Sequence, residues 1–501
     1  MDTINLLIGG LATALSPINL MYAVIGGILG IIVGALPGIG SGTGISLLLP
    51  LTFKMNPTSA IIMLAGIYYG NMFGGAYSAI LLNIPGDSPA VCTALDGYQL
   101  TKKGLGGKAL MTANISSFIG GLIGIILLTI CGPLLAEIGL KFGPTEIAAL
   151  IFFALTSIGW LLGEDPLKGL ISAGIGILIA TIGVDSSTGK FRYFFGNFNL
   201  IGGISFVPLV IGMFGFSQIF EMMGSRKETE SQEIEKLTIK DSLLSIKELK
   251  SIIPTTLRSS VIGNFIGFLP GAGATTASFI SYVLEKNVGK RGKHLGTGEI
   301  TGVAASESAN NAASVGSFGP LLSLGLPGST TSAVLLGGLM MWGLRPGPLL
   351  FESNPDFVWG LIGSMYVGNL ICLIIGTFLL SFLVSFLNVK KETMIPIVMI
   401  ICFVGAYSCN NNVFDLIVVI VSGYLAFMLK KYGFPTTPVI LAFVLSPKLE
   451  LSLRQALGIS HGKVNIFFQK PISAVLIVIT LFMFTLPMIR RIYAKKKKAG
   501  K

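Results

Sequence analysis

The sequence predicts an all-α polytopic membrane protein made of two pseudo-symmetric repeats with broken or re-entrant helices, and we favour an inverted arrangement of the repeats. Three observations support this fold class. Hydrophobic residues make up 52% of the chain and charged residues only 12%, about half of the charged share of a typical soluble domain. Apolar stretches long enough to cross a membrane recur from end to end. A motif rich in glycine and proline occurs twice.

The apolar stretches define the expected membrane spans, since each can cross about 30 Å of hydrocarbon as a helix. They include residues 18–36, 121–131 with its flanks, 145–162, 167–184, 360–384, 394–408, 416–429 and 472–488. We expect on the order of ten to thirteen crossings. A soluble protein with a large core is excluded, because such a core does not contain this many long uncharged runs.

The charge distribution and the cysteine content restrict the possible kinds of protein further. The net charge is +12, and a basic cluster at residues 490–498 directly follows the last apolar stretch, which predicts a cytoplasmic C-terminus. No Lys or Arg precedes Lys54, so we expect no signal peptide. We expect no nucleic-acid binding, because no soluble domain presents the lysines. The five cysteines form no CxxC pair and the two histidines are far apart, so a metal site built on them is not expected.

The duplicated motif has the pattern Gly-x-x-x-Gly-x-x-Pro-Gly-x-Gly. Its copies are Gly30, Gly34, Pro37, Gly38, Gly40 and Gly263, Gly267, Pro270, Gly271, Gly273, with 270 − 37 = 233 residues between the prolines. A second pair of Pro-Gly breaks, around Pro85 and Pro327, lies 327 − 85 = 242 residues apart. We therefore divide the chain into a first repeat (1–224), a polar linker (225–253), a second repeat (254–488) and a basic tail (489–501).

The breaks are the expected substrate site. Proline and glycine free backbone groups from the helical ladder, which a membrane protein tolerates only in its interior or beside a watery cavity. Half-helix N-termini there offer N–H groups to an anion, and nearby hydroxyls, including Thr331, add donors. The candidates for substrate binding are Pro37, Gly38, Gly40, Ser41, Thr43, Asn83, Pro85, Gly86, Ser88, Pro270, Gly271, Gly273, Thr275, Thr276, Pro327, Gly328, Ser329 and Thr330. The alternative is that each break only kinks a helix for packing.

Polar residues near the breaks are candidates for coupling to an ion gradient. They are Asn71, Asp87, Glu307, Asn310 and Asn311. A carboxylate inside a membrane is costly and usually functional, and these groups suit either protonation or Na⁺ binding. From the GxxxG glycines (Gly30, Gly34, Gly263 and Gly267) we expect helix packing instead. The segment with Asp96, Lys102, Lys103 and Lys108 has the composition of an aqueous loop.

Two further patterns carry no enzymatic prediction. Gly458-Ile459-Ser460-His461-Gly462 matches G-x-S-x-G but lacks the strand and helix that expose a nucleophilic serine. The glycine-rich stretch 38–44 lacks the Lys of a P-loop, so ATP-driven transport is not supported. We expect no enzyme, no cofactor and no metal other than Na⁺.

The two motifs, the segment Asn83-Ile84-Pro85-Gly86 and the tail from Leu453 to Ser473 resemble the large membrane subunit of tripartite tricarboxylate transporters, the TctA family. The resemblance extends over about residues 15–490. It implies a secondary transporter in a prokaryotic cytoplasmic (inner) membrane that imports tri- or dicarboxylates, driven by a Na⁺ or H⁺ gradient. It also implies two partners, a small four-span membrane subunit and an extracytoplasmic solute-binding protein.

Three alternatives stay open at this point. The chain could be a stand-alone carboxylate or ion carrier that needs no binding protein. It could be a channel-like protein, which would predict flux without gradient coupling. An intramembrane enzyme would need a catalytic dyad or metal ligands, and we find no HExxH, no paired intramembrane aspartates and no Ser–His pair. The identity of the carboxylate and a homo-oligomeric state are left open.

Overall fold

The computed structural model describes residues 3–36, 39–161, 166–185, 187–224, 242–379 and 391–483, which are mostly helical. Its first half contains α1 (Thr3–Ala14), α2 (Pro17–Ala35), α3 (Ser41–Leu48), α4 (Pro57–Leu82), α5 (Val91–Lys102), α6 (Gly106–Leu140), α7 (Pro144–Leu161), α8 (Pro166–Ala180) and α9 (Phe206–Gly224). A two-stranded antiparallel hairpin pairs β1 (Gly183–Val184) with β2 (Phe191–Arg192). The prediction of an all-α protein is confirmed.

The second half begins with α10 (Ile246–Gly267), whose first residues fall inside the predicted linker 225–253. Residues 225–241 of that linker lie outside the described part of the chain. It continues with α11 (Gly273–Val288), α12 (Ile300–Gly316), α13 (Phe318–Leu324), α14 (Thr330–Met341), α15 (Leu350–Ser353), α16 (Pro355–Phe378), α17 (Lys391–Asn410), α18 (Phe414–Lys431), α19 (Thr437–Ile459), α20 (Ile466–Gln469) and α21 (Pro471–Met483). The predicted basic tail, 489–501, also lies outside the described residues.

Five of the described helices are long and apolar enough to cross a membrane. They are α2, α6, α9, α16 and the Glu392–Asn410 part of α17. Shorter apolar helices include α1, α8, α14 and α21. These helices support a multi-pass membrane protein, and the larger number of crossings expected from the sequence stays a prediction.

Two helices, α12 and α4, are almost completely buried although both contain polar side chains. Every residue of α12, which is rich in Ala, Ser and Asn, is buried. All residues of α4 from Ser59 to Leu81 are buried as well. Helices do not gain from hiding apolar surface within lipid, so their association depends on close packing and hydrogen bonds. The small and polar residues therefore occupy the interior.

Close packing of α2 on α4, and of α10 on α12, depends on glycine. A Cβ atom added at Gly30 would lie less than 3.0 Å from the carbonyl oxygen of Ile67, and one at Gly34 equally close to that of Asn71. In the second half, Gly263 and Gly267 face the carbonyl oxygens of Ala309 and Ala313 in the same way. The prediction that the GxxxG glycines serve packing is confirmed.

The chain forms two compact units, and the first contains both copies of the motif. It comprises residues 1–136 and 207–427. The sequence suggested an aqueous loop around Asp96 and Lys102, which is wrong: both residues are on α5, and Asp96 is fully buried. Its carboxylate accepts hydrogen bonds from the backbone N–H groups of Gly296, Gly298 and Glu299 and from the Tyr282 hydroxyl. These four donors explain how a charged residue is accommodated there.

The second unit comprises residues 137–206 and 428–501. Within it, α19 packs against α7 and α8, and Gly176 lies against the carbonyl oxygen of Val439. Arg454 bridges Asp185 and Glu450, at 2.7 and 2.6 Å, and so ties the hairpin to α19. The backbone N–H of Ser187, together with Arg454, holds the pKa of the Asp185 carboxyl well below its usual range.

Two neighbouring glycines of α1 test the packing argument. A Cβ at Gly10 would lie less than 3.0 Å from the carbonyl oxygen of Trp359 on α16, whereas one at Gly9 has open space around it. We expect Gly10→Ala to lower the free energy of unfolding by about 1–3 kcal/mol, because the helices must separate. Gly9→Ala should be neutral or stabilising by up to about 1 kcal/mol. Unfolding of the purified protein in detergent measures both, and equal stability of the two variants would contradict this packing.

Candidate functional site

Each motif copy interrupts the helical backbone. Break 1 (residues 36–40) separates α2 from α3, and break 3 (residues 268–272) separates α10 from α11. At break 3, Gly271 and the first residue of α11, Gly273, have φ values of +80° and +64°, which an L side chain rarely adopts. At break 1, Gly40 is extended and half-buried, and Pro37 and Gly38 lie outside the described residues.

The other two breaks end their helices in the same way. Break 2 (residues 83–89) begins at Asn83 (φ +56°) and break 4 (residues 325–329) at Gly325 (φ +68°), both left-handed. The residue that follows each of these two donates a backbone hydrogen bond to a carbonyl oxygen six residues earlier. Ile84 N–H bonds to Ser78 O at 3.3 Å, and Leu326 N–H bonds to Pro320 O at 3.0 Å. Both helices therefore end in a left-handed residue, and the next N–H group satisfies a carbonyl oxygen near the end of the helix. Asn83 and Gly325 are 325 − 83 = 242 residues apart.

Breaks 2 and 4 pack onto the ends of the GxxxG helices. A Cβ at Gly86 would lie less than 3.0 Å from the carbonyl oxygen of Gly34, and one at Gly328 equally close to that of Gly267. The Gly271 N–H also donates to Gly328 O at 3.1 Å, which joins break 3 to break 4. Glycine is therefore required at both positions by backbone approach.

Hydrogen bonds between the two halves bring the four breaks together. The Ser41 hydroxyl, at the start of α3, bonds to the Thr331 hydroxyl at the start of α14, 2.8 Å away. The Ser278 hydroxyl on α11 donates to the Pro89 carbonyl oxygen of break 2 at 2.9 Å. In each half, the helix that follows the first break is hydrogen-bonded either to the second break of the other half or to the helix that starts directly after that break. The four breaks therefore lie close together.

Asp87 occupies the N-terminus of α3. Its carboxylate accepts hydrogen bonds from the backbone N–H groups of Ser41 at 2.9 Å and Ser88 at 2.7 Å. The sequence suggested a substrate anion at such an N-terminus, and here the protein supplies one of its own. The residue at the matching place in break 4 is Ser329, 329 − 87 = 242 positions later. The two halves therefore differ by one charge at this point.

Tyr68 is a site residue that the sequence analysis missed. It is 1% exposed on α4, and its hydroxyl lies 3.1 Å from the Ser329 hydroxyl. Its ring stacks on Tyr69 and lies 5.9 Å from Phe318. The Tyr-Tyr-Gly-Asn sequence at 68–71 was visible, but no local pattern shows that a residue 261 positions away is its partner.

The remaining substrate-binding candidates differ in how far their side chains are exposed. Pro270, Pro327 and Gly328 are buried, whereas Pro85, Thr275, Thr276 and Thr330 are half-buried and Asn83 and Ser88 are exposed. The Thr43 hydroxyl is buried and donates to Phe214 O at 3.4 Å. Their assignment to substrate stays a prediction.

The ion-coupling candidates differ in how their polar atoms are satisfied. The Asn311 amide donates to the Glu307 backbone carbonyl at 3.0 Å. Both polar atoms of the Asn71 side chain, which is fully buried, and the side-chain oxygen of Asn310 have no hydrogen-bond partner. Glu307 is fully buried and accepts from Thr93 and Ser117. Buried polar groups normally have partners, so Asn71 and Asn310 have capacity for a ligand.

The chain was compared with known proteins. It matches the family described as "Tripartite tricarboxylate transporter TctA family" over residues 20–441. It is 40% identical over 498 residues to an uncharacterized 52.8 kDa protein in the TAR-I ttuC' 3' region of Agrobacterium vitis, with 99% of each chain covered. An uncharacterized protein in the TAR-II ttuC' 3' region of the same organism is 41% identical over 234 residues, which are 47% of this chain and 97% of that protein. No solved structure matches the chain.

The hydroxyl pair between Ser41 and Thr331 tests whether the breaks of the two halves meet. Each of Ser41→Ala and Thr331→Val should lower the free energy of unfolding by about 1–3 kcal/mol, because the other hydroxyl loses its partner. The double variant should be more stable than the sum of the single losses predicts, by about 0.5 kcal/mol or more. As a control, Thr331→Val combined with Thr13→Val, whose hydroxyl bonds within α1, should be additive. Additivity in both pairs would argue against the contact.

Proposed function

Because this chain belongs to the tripartite tricarboxylate transporter TctA family, we propose that it is the membrane subunit through which a tri- or dicarboxylate enters the cell. In this proposal, an extracytoplasmic solute-binding protein delivers the anion and a small four-span membrane subunit completes the complex. An ion gradient, of Na⁺ or H⁺, drives uptake. The complex lies in a prokaryotic cytoplasmic (inner) membrane, with the C-terminus of this chain on the cytoplasmic side.

The convergence of four interrupted helices is the observation that carries the proposal. Broken helices that meet inside a helical membrane protein are typical of secondary transporters, whose substrate lies at the break. The cluster offers hydroxyl donors of the kind that a carboxylate needs, those of Ser41, Tyr68, Ser329 and Thr331. We assign the substrate carboxylates to this cluster.

We further propose that the two halves are repeats in inverted orientation. Matching contacts support the repeat. Ile67 and Ala309, which face the first glycine of each motif, are 309 − 67 = 242 residues apart, as are Gly86 and Gly328. The inverted orientation rests on analogy with other transporters with broken helices. Repeats of this kind allow one half to move against the other around a fixed site, so that it opens to alternate sides.

Reconstituted uptake tests the proposal as a whole. The chain and its small subunit would be inserted into liposomes, and uptake of labelled citrate and other carboxylates measured under imposed Na⁺ or H⁺ gradients. We expect uptake that requires both one gradient and the binding protein. Gradient-driven uptake without the binding protein would instead indicate a stand-alone carrier. Flux that ignores both gradients would indicate a channel.

The Tyr68–Ser329 pair tests the location of the substrate. A hydrogen bond to a charged group contributes about 1.5–3 kcal/mol, so Tyr68→Phe and Ser329→Ala should each lower uptake at subsaturating substrate by about tenfold or more. Tyr407→Phe, at a tyrosine that is 44% exposed, is the matched control and should leave uptake unchanged. Normal uptake by both site variants, at equal amounts of folded protein, would remove this cluster from the substrate pathway.

A further inference from the structure

Glu307 is a carboxylate inside the helical bundle whose described hydrogen-bond partners are neutral side chains. It lies in the middle of α12 and is 0% exposed. The Thr93 hydroxyl on α5 donates to one carboxylate oxygen, and the Ser117 hydroxyl on α6 donates to the other at 3.1 Å. The Asn310 side chain, one turn further along α12, is close enough to interact with it. Three helices therefore meet at this side chain.

Two other buried carboxylates nearby show which hydrogen-bond donors or ion-pair partners stabilise a buried charge in this protein. Asp96 has three backbone N–H donors and one hydroxyl. Glu285 pairs with the Arg258 guanidinium. Among the described residues, Glu307 has no ion pair. A buried charge without a countercharge costs several kcal/mol, and gaining a proton removes that cost.

The unpartnered side-chain oxygen of Asn310 also favours a proton at Glu307. The side-chain oxygen of Asn310 is buried without a hydrogen-bond partner, although the same side chain contacts Glu307. A carboxylate and an amide oxygen are both acceptors, and a carboxylic acid O–H is a donor. A proton at Glu307 would thus add one donor to a group of side chains in which acceptor oxygens predominate.

We propose that Glu307 is the group that takes up and releases the proton whose gradient drives carboxylate import. This inference rests on the proposed transport function and selects H⁺ over Na⁺. A Na⁺ ion would need oxygens spread around it, whereas the Thr93 and Ser117 hydroxyls bond directly to the two carboxylate oxygens. A proton binds to a single carboxylate oxygen and does not need a shell of oxygens around it.

The chain itself links Glu307 to the substrate cluster. Thr93 lies in the first turn of α5, which follows break 2 after the short 3-10 turn Ser88–Ala90. Asp87, at the other end of that turn, holds the N-terminus of α3, and Pro89 accepts from Ser278 on α11. A movement of break 2 on substrate binding would shift Thr93 against Glu307. Substrate and proton affinities would then be coupled, and the coupling is reciprocal.

Several other titratable groups on the helices packed around α12 have partners of their own. On α5, Asp96 is held by its four donors, and the Cys92 thiol is close enough to interact electrostatically with Glu307. On α11, Tyr282 donates to Asp96 and Glu285 pairs with Arg258 of α10. On α4, the Tyr68 hydroxyl bonds to Ser329, whereas the buried Tyr69 hydroxyl has no hydrogen-bond partner. Of the carboxyl groups on α5, α11 and α12, Glu307 is the one with neither a backbone N–H donor nor a cationic partner among the described residues.

Infrared difference spectroscopy tests the proton directly, without transport. The purified full-length protein at neutral pH should show a protonated carboxyl band that is absent from Glu307→Gln and present in Glu352→Gln, a matched change at an exposed position. Ser117→Ala removes a donor to the charged form, so the band should persist to higher pH in that variant. A wild-type spectrum without the band, or one that Glu307→Gln leaves intact, would overturn the proposal.

Uptake by the complete reconstituted complex tests the coupling. Glu307→Gln, a neutral mimic of the protonated side chain, should lose accumulation driven by a pH gradient by tenfold or more while retaining exchange of labelled for unlabelled substrate. Glu352→Gln should behave like the wild type. A Na⁺-driven wild type, or a Glu307→Gln variant that still accumulates substrate with the pH gradient, would refute proton coupling here and leave carboxylate transport standing. Absence of all carboxylate transport despite the infrared band would refute the transport function instead.

Discussion

The approach of helix backbones at glycine is the constraint on which the rest of the first unit depends. In both halves a GxxxG helix lies so close to its polar partner that no Cβ fits between them. The same helix then ends, and Gly86 or Gly328 of the second break in that half packs on that end. The breaks are thus positioned by backbone contact. The hydroxyls and N–H groups of the cluster inherit their geometry from this packing rather than from a set of charged ligands.

Burial of the polar helices follows from the same constraint. Small side chains permit the close approach, and the hydroxyls and amides that accompany them need partners inside the bundle. In α12 most of these partners are within the helix, as when Ser308 bonds to the Ala304 carbonyl and Ser314 to that of Asn311. Those residues are therefore satisfied without a ligand. Other buried polar atoms of the described residues lack a hydrogen-bond partner, among them those of Asn71 on α4 and of Thr301 and Asn310 on α12.

The sequence predicted those features that depend on local backbone chemistry. Proline and glycine interrupt helices wherever they occur, so the positions of the breaks and the packing role of Gly30 and Gly263 could be read directly. Contacts between distant segments could not be read. Nothing near Tyr68 indicates Ser329, and nothing near Glu307 indicates Thr93 or Ser117. Asp96 was misjudged for the same reason, since a charged residue among lysines resembles a loop until its four donors, some 200 residues away in sequence, are known.

In the proposed pair of repeats, Asp87 of the first half corresponds to Ser329 of the second, which has a consequence for the proposed substrate. A cleft lined identically by two related halves would accept an elongated anion equally well in either direction. One negative side chain, present on one side alone, removes that equivalence, because a carboxylate placed beside Asp87 is repelled more strongly than one placed beside Ser329. The bound molecule would then have a defined head and tail, and recognition would extend from the number of its acidic groups to their order along the molecule.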